Sequence, residues 1–201
     1  YDYVINLSGV TGGSFSKIKK VELYNQEFIG SKNIIDFFSK RKIERFIHVG
    51  SSSEYGSAPT PHKENSKCKP LSKYGKNKLK STLYFLKCFK KKTFPGTIVR
   101  IFQVYGKNQN INKIIPYVIK NCKENKKFKL TNGKQTRDFC YIDDVVNAIL
   151  KILNGRKKLD GKIINIGSGK HITIKNLVKL IQSKIVGGKP DFGAIKMKKT
   201  D

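Results

Sequence analysis

Residues 45–56 read Arg45-Phe46-Ile47-His48-Val49-Gly50-Ser51-Ser52-Ser53-Glu54-Tyr55-Gly56, and this stretch decides the fold. Arg45 to Val49 reads as a buried strand, stopped by Gly50-Ser51 and followed by a hydroxyl-rich loop. Downstream, residues 73–92 place Leu79, Leu83, Leu86 and Phe89 on a helical stripe that closes on Lys90-Lys91-Lys92, where cations suit the helix dipole. Pro95-Gly96 breaks that helix, and Thr97 to Phe102 is the next strand. Upstream, Val4-Ile5-Asn6-Leu7 is a short apolar run ended by Ser8-Gly9. Residues 24–40 carry Phe28, Ile34, Ile35, Phe37 and Phe38 at helical spacing. Strands alternating with helices of this length predict βαβ units and a parallel sheet.

The texture changes after Gly106. Residues 111–124 predict a helix, and Phe128-Lys129-Leu130 and Phe139 to Ile142 predict short strands around an Asn132-Gly133 turn. Asp143-Asp144 opens a helix through Leu153, with its acids at the positive end; Ile163 to Ile166 is a further strand, and Thr173 caps a last helix. Residues 1–106 thus read as sheet core, and 107–201 as returning core elements mixed with a smaller lobe.

The chain has 201 residues, 38% hydrophobic and 28% charged, enough for one domain with a core. Forty-two basic residues against 14 acidic give +28, but only Arg41, Arg45, Arg100, Arg137 and Arg156 are arginine. A nucleic-acid binder concentrates its charge on one face and favours Arg. Dispersed lysine argues against that function, although a basic surface keeps it as an alternative. Cys68, Cys88, Cys122 and Cys140 show no Cys-x-x-Cys spacing, which excludes a zinc site of the usual kind and predicts free thiols. No apolar run reaches membrane-span length and no signal peptide opens the chain, so a cytoplasmic, non-membrane protein is expected. The chain opens inside a strand-like run without Met and stops at Lys198-Lys199-Thr200-Asp201, the expected look of a piece of a longer protein.

Three features carry chemistry. Gly50 to Gly56 lies at the carboxyl end of a parallel strand, where open α/β sheets bind ligands. Tyr74 and Lys78 stand four apart at the start of the next helix and so share a face. Arg100-Ile101-Phe102-Gln103-Val104-Tyr105-Gly106 leaves the following strand. A tyrosine with a pKa of about 10 is a poor base. A neighbouring ammonium is expected to stabilise the phenolate and lower that pKa. With a serine hydroxyl aimed at the same point, the trio suits proton transfer coupled to hydride transfer at a carbinol carbon, which needs a nicotinamide.

In their order and placement these blocks resemble the extended short-chain dehydrogenase/reductase family, the nucleotide-sugar epimerases, dehydratases and reductases. Residues 1–9 are similar to the family's fourth strand, with Asn6-Leu7-Ser8-Gly9 in place of His-Leu-Ala-Ala. RFIHVGSSSEYG resembles the serine loop, LSKYGKNK the Tyr-x-x-x-Lys helix and TIVRIFQVYG the sixth strand. NGKQTRDFCYIDDVVNAI resembles the substrate-lobe signature, and INIGSG a later strand and loop. The resemblance implies a Rossmann-like, doubly wound α/β sheet lacking its first strands, with a smaller C-terminal substrate lobe. It divides the chain into a partial NAD(P)-binding domain, 1–106, and a mixed segment, 107–201.

The same resemblance implies that Tyr74 is the acid/base, that Lys78 is its partner and a ligand of the cofactor ribose, and that Ser51 is the catalytic hydroxyl. A one-residue gap would promote Ser52 instead, which otherwise faces substrate. Leu7, Ser8 and Gly9 would line NAD or NADP, Gln103 would lie next to the substrate diphosphate, and Arg137 would grip it bidentately. Asp143 and Asp144 read as structural. The implied substrate is a nucleotide-diphosphate sugar, no metal is implied, and the assembly is a homodimer through the helices at 25–40 and 73–92. Epimerase or 4-keto-sugar reductase chemistry fits. A 4,6-dehydratase is the alternative, disfavoured because Ser52 and Ser53 stand where dehydratases carry Asp-Glu, unless Glu54 shifts into that role. The remaining alternative is a non-catalytic or basic nucleic-acid-binding protein on the same fold. GSSSEYG and FGAIKMKK resemble synthases of CDP-3,6-dideoxyhexoses such as CDP-abequose.

Departures from the family carry their own expectations. The Gly-x-x-Gly-x-x-Gly fingerprint is missing, and Gly9-Val10-Thr11-Gly12-Gly13 only superficially resembles it. About 60 preceding residues, two βαβ-scale pieces, would supply it. The 201 residues alone are therefore expected to hold cofactor weakly. Lys198 stands at an arginine place and is a point charge without a fork.

Overall fold

In chain order the elements are β1 (Tyr3–Asn6), α1 (Lys20–Tyr24), a π-helical turn (Asn25–Ile29), α2 (Gly30–Phe38) and β2 (Arg45–Ser51). A 3-10 turn (Ser52–Glu54), α3 (Lys73–Lys92), β3 (Gly96–Ile101), β4 (Gln103–Tyr105), α4 (Ile114–Lys123), β5 (Lys127–Leu130) and β6 (Thr136–Tyr141) follow. The chain continues through α5 (Ile142–Leu153), a second 3-10 turn (Lys157–Leu159), β7 (Ile163–Ile166), β8 (His171–Thr173), α6 (Ile174–Lys184) and β9 (Lys189–Phe192). This computed structural model describes residues 2–10, 19–92, 95–155 and 157–197. The Thr11–Gly13 part of the expected glycine segment, and Lys198 and Asp201, lie outside the described residues.

The described residues form two units, one up to Phe102 with Asp143–Ile166, the other Gln103–Ile142 with residues from Gly167 on. In the first unit β1, β2, β3 and β7 make a parallel sheet in that order. The architecture is Rossmann-like α/β, as the alternation of elements predicts. The inner strands bury almost everything they carry: Phe46, Ile47, Ile98 and Val99 are fully enclosed. Continuous apolar runs are what a parallel sheet covered by helices requires. The core joins Ile35 of α2, Ile43, Phe46, Phe85 of α3 and Ile98.

Helix α3 follows its leucine stripe only in part: Leu86 and Phe89 are packed against the core, but the most buried positions lie elsewhere. The buried positions are Gly75, Asn77, Lys78, Ser81, Thr82 and Phe85, while Leu83 is 56% exposed. Small side chains let the helix approach the sheet closely. At Gly96 an added Cβ would lie 2.6 Å from the Phe85 ring, so β3 needs glycine there. The expected helix at 24–40 begins earlier, at Lys20, and is interrupted by the π-helical turn.

The second unit holds two small sheets, β4-β6-β8 and β5-β9. The expected short strands on either side of Asn132-Gly133 form, but they do not pair with each other. β5 pairs in parallel with β9, and β6 pairs with β4 and β8. The reason is burial: Phe128 and Leu130 alternate inward from β5 onto Val118, Cys122, Leu177, Val178 and Ile181. Gly133, at φ +70°, instead accepts the Lys175 N–H at the start of α6. Thr173 caps that helix as expected, its side chain accepting from the Asn176 N–H. Among the described residues no helix is long and apolar enough to cross a membrane.

Candidate active site

The candidate site of the first unit lies at the carboxyl ends of β1 and β2. Ser51 ends β2 in extended conformation and caps the 3-10 turn behind it: its side chain accepts from the Ser53 N–H, and its own N–H donates to Glu54 Oε1 at 2.9 Å. Glu54 is fully buried, and its other oxygen receives Arg100 Nε at 2.9 Å from the neighbouring strand. Gly50 must be glycine, because a Cβ there would lie 2.4 Å from Glu54 Oε1. The serine loop is thus bolted to β3 by a buried ion pair, and the Arg100 guanidinium also lies 4.6 Å from the centre of the Tyr55 ring.

Tyr74 stands in the first turn of α3, and its side chain is hydrogen-bonded to that of Ser51. Lys78, one turn on, is 5% exposed. Its ammonium lies 5.9 Å from the centre of the Tyr74 ring. It donates to the Ser8 carbonyl at 3.2 Å and the Val49 carbonyl at 3.4 Å, and pairs with Glu27 Oε2 at 3.1 Å. Below it, Asn6 is buried between Ser8, whose hydroxyl donates to Asn6 Oδ1, and the His48 ring. Burial, with the Lys78 charge second, pushes the His48 pKa down to about 3, so the ring is neutral.

The expected lowering of the Tyr74 pKa is not found. It is pushed up to about 12, first by burial and then by the Glu27 carboxylate, with the Ser51 hydrogen bond opposing. Burial is the larger cause; the Glu27 carboxylate, which pairs with the Lys78 cation expected to stabilise the phenolate, adds to it. Nothing in the sequence marks Glu27: a carboxylate on a largely polar helix reads as a solvated position, yet it is fully buried. In the sequence Glu54 reads only as a dehydratase acid, although an arginine inside a buried strand, as at Arg100, calls for a buried carboxylate partner.

The structure therefore brings Ser51, Tyr74, Lys78 and the Ser8-Gly9 turn together. Leu7 lies beside them in the chain, 66% exposed, and Ser52 is half-buried in the turn after Ser51. Gly9 has φ +142°, and an added Cβ would meet Lys78 Nζ at 3.0 Å and Glu27 Oε2 at 2.8 Å. Bare backbone beside an ammonium at the carboxyl edge of a parallel sheet stands where open α/β sheets take their ligands. Gln103 and Arg137 lie in the second unit. Gln103 opens β4 opposite Phe139, and Arg137 sits two residues before Phe139 on the same face of β6. The Arg137 guanidinium donates to the Thr136 carbonyl at 2.8 Å. Asp143 and Asp144 are exposed in the first turn of α5.

A model of the NAD dependent epimerase/dehydratase family matches residues 1–167. The dTDP-D-glucose 4,6-dehydratase of Homo sapiens is 30% identical over 184 residues, covering 90% of this chain and 52% of that protein. CDP-abequose synthase of Salmonella muenchen is 40% identical over 101 residues, 50% of this chain and 34% of that one. The crystal structure of UDP-glucuronic acid 4-epimerase from Bacillus cereus, in complex with UDP-glucuronic acid and NAD, superposes with a TM-score of 0.87 at 28% identity. It covers 95% of this chain and 62% of that chain. The chain spans about half the length of the curated relatives dTDP-D-glucose 4,6-dehydratase and one third of CDP-abequose synthase. Sheet order, serine loop and matched family model lead to one conclusion: the chain belongs to the NAD dependent epimerase/dehydratase family.

Proposed function

We propose that these residues are the proton-transfer core of an NAD(P)-dependent enzyme that acts on a nucleotide-diphosphate sugar as an epimerase or 4-keto-sugar reductase. The observation that carries the reading is the meeting of Ser51, Tyr74 and Lys78 at the carboxyl edge of the sheet. A bound nicotinamide supplies hydride chemistry. Tyr74 holds the proton at its phenolic oxygen, Ser51 orients that oxygen and the sugar oxygen, and Lys78 would bind the cofactor ribose. Leu7, Ser8 and Gly9 would line the cofactor, and Ser52, Gln103 and Arg137 would meet the sugar nucleotide. Residues 1–106 would carry the cofactor side, and 107–201 returning core and substrate lobe.

Two observations speak against water elimination. Ser52 and Ser53 carry no carboxyl group, and Glu54 is locked beneath the loop by Arg100. The likeness to the human 4,6-dehydratase favours the dehydratase as the second reading. We infer further that two copies pair through α2 and α3. Phe37 and Leu83, 47% and 56% exposed on those helices, support it. The four free cysteines support the cytoplasm as compartment.

The test is turnover of nucleotide sugars by the complete gene product that carries this chain, followed by proton NMR with NAD+ or NADPH added. Tyr74→Phe is expected to reduce turnover by about 10²–10⁴-fold. Undiminished turnover would end the reading, and a 4,6-eliminated product would install the dehydratase.

A further inference from the structure

Glu27 occupies an unusual place. It lies in the middle of the π-helical turn, where the extra residue per turn breaks the regular ladder, a distortion that recurs at functional sites. Its backbone carbonyl is taken up by the Ser81 hydroxyl of α3 at 2.8 Å. Its side chain is fully enclosed, with Oε1 accepting the Val10 N–H and Oε2 facing Lys78 Nζ at 3.1 Å. Lys78 Nζ donates to the Ser8 and Val49 carbonyls, and Glu27 Oε2 meets it as an ion pair.

We propose that Glu27 is a positioning residue for proton transfer at Tyr74: its carboxylate, carried to Lys78 by the π-helical turn, fixes the ammonium and cancels its charge at the phenol. The proposal rests on the reading that Tyr74 moves the substrate proton. A bare ammonium would favour the phenolate, whereas a neutralised one leaves the proton on the Tyr74 oxygen. The resting site is then a loaded proton donor, suited to a carbonyl oxygen. Among the described residues, the other charged and titratable groups facing the phenol are three. Glu54 of the 3-10 turn, paired with Arg100 of β3, adds a smaller upward push. Lys78 comes from α3 itself, and His48 of β2, beside Lys78, is neutral. The upward shift of the phenol agrees with this arrangement.

The experiment is an NMR titration of tyrosine labelled with ¹³C at Cζ, in the 201-residue chain, with Tyr74→Phe assigning the signal. The unmodified chain and Glu27→Asp, which keeps the charge, are expected to share one Tyr74 midpoint, above the ordinary tyrosine value of about 10. In Glu27→Gln, which keeps the size and removes the charge, the midpoint falls by about one pH unit or more, a tenfold gain in acidity. A merely structural Glu27 would change stability and leave that midpoint in place. An unmoved Tyr74 in Glu27→Gln, or an Asp variant that titrates like Gln, overturns the proposal. If Glu27→Gln does not fold, Glu27→Asn, shorter and equally uncharged, is titrated in its place. A lowered Tyr74 midpoint supports the proposal and an unmoved one overturns it. The titration needs neither cofactor nor sugar nucleotide, so absent turnover would refute the proposed function without touching this result.

Discussion

Removing Arg100 should cost far more than removing a surface cation. Arg100 and Glu54 are 2% and 0% exposed, and Nε lies 2.9 Å from Oε2. At that separation, with an effective dielectric of about 20, the attraction is about 6 kcal/mol. Most of it offsets the cost of bringing both ions out of water. Arg100→Met deletes the cation and leaves the carboxylate enclosed, which costs about 3–5 kcal/mol. In a chain of this size that lowers the midpoint of thermal unfolding by roughly 10 °C or more. The double variant Arg100→Met with Glu54→Leu removes both charges and should recover most of the loss. The assay is urea unfolding followed by near-ultraviolet circular dichroism, run on the four corners of the cycle. The local consequence is separable, since Glu54 also holds the Ser51 N–H, and the double variant restores stability without restoring that bond. A loss below about 1 kcal/mol for Arg100→Met, the size of an exposed pair, would refute the argument that this pair is shut off from water.

Two other expectations follow from groups near the site. His48 is neutral in the fold with its pKa down at about 3, against 6.5 unfolded, so the unfolded chain binds the extra proton as pH falls. Its contribution is whole above pH 6.5 and is lost towards pH 3 at up to about 1.4 kcal/mol per pH unit. Urea midpoints between pH 7 and 4 should therefore fall less steeply in His48→Gln, and an unchanged slope would show that His48 is protonated in the fold. Gly9→Ala forces a side chain onto φ +142° and into Glu27 and Lys78, so a loss of about 1–3 kcal/mol is expected in the same unfolding assay. An alanine chain as stable as the unmodified one would mean that the Ser8-Gly9 turn does not close over that ion pair.

The sheet was legible because its strands are short apolar runs stopped by Gly-Ser, Pro-Gly and Ser-Gly, and because helical stripes separate them. The Ser51, Tyr74 and Lys78 trio was legible from order along the chain and from the i, i+4 rule. Three things were not. The partners of the strands around Asn132-Gly133 were hidden because local turn chemistry says nothing of a strand far along the chain, and β5, which buries Phe128 and Leu130, pairs with β9. The inward face of α3 was legible only in part because hydrophobicity marks the leucines, whereas close packing on the sheet selects Ser81 and Thr82. Glu27 was missed because a π-helical turn shifts which residues share a face, and the 3.6-residue period carries no sign of it.

Winding phase along the first helical segment is set by a single surplus residue. Deleting one amino acid between Asn25 and Ile29 would restore ordinary spacing and rotate α1 by about 100° against α2. Ile35 would keep its seat beside Phe46 while the acid now beneath Lys78 swung towards solvent. A one-residue deletion in this short span is thus expected to move the charge beside the neighbouring helix while the sheet that supports it stays put.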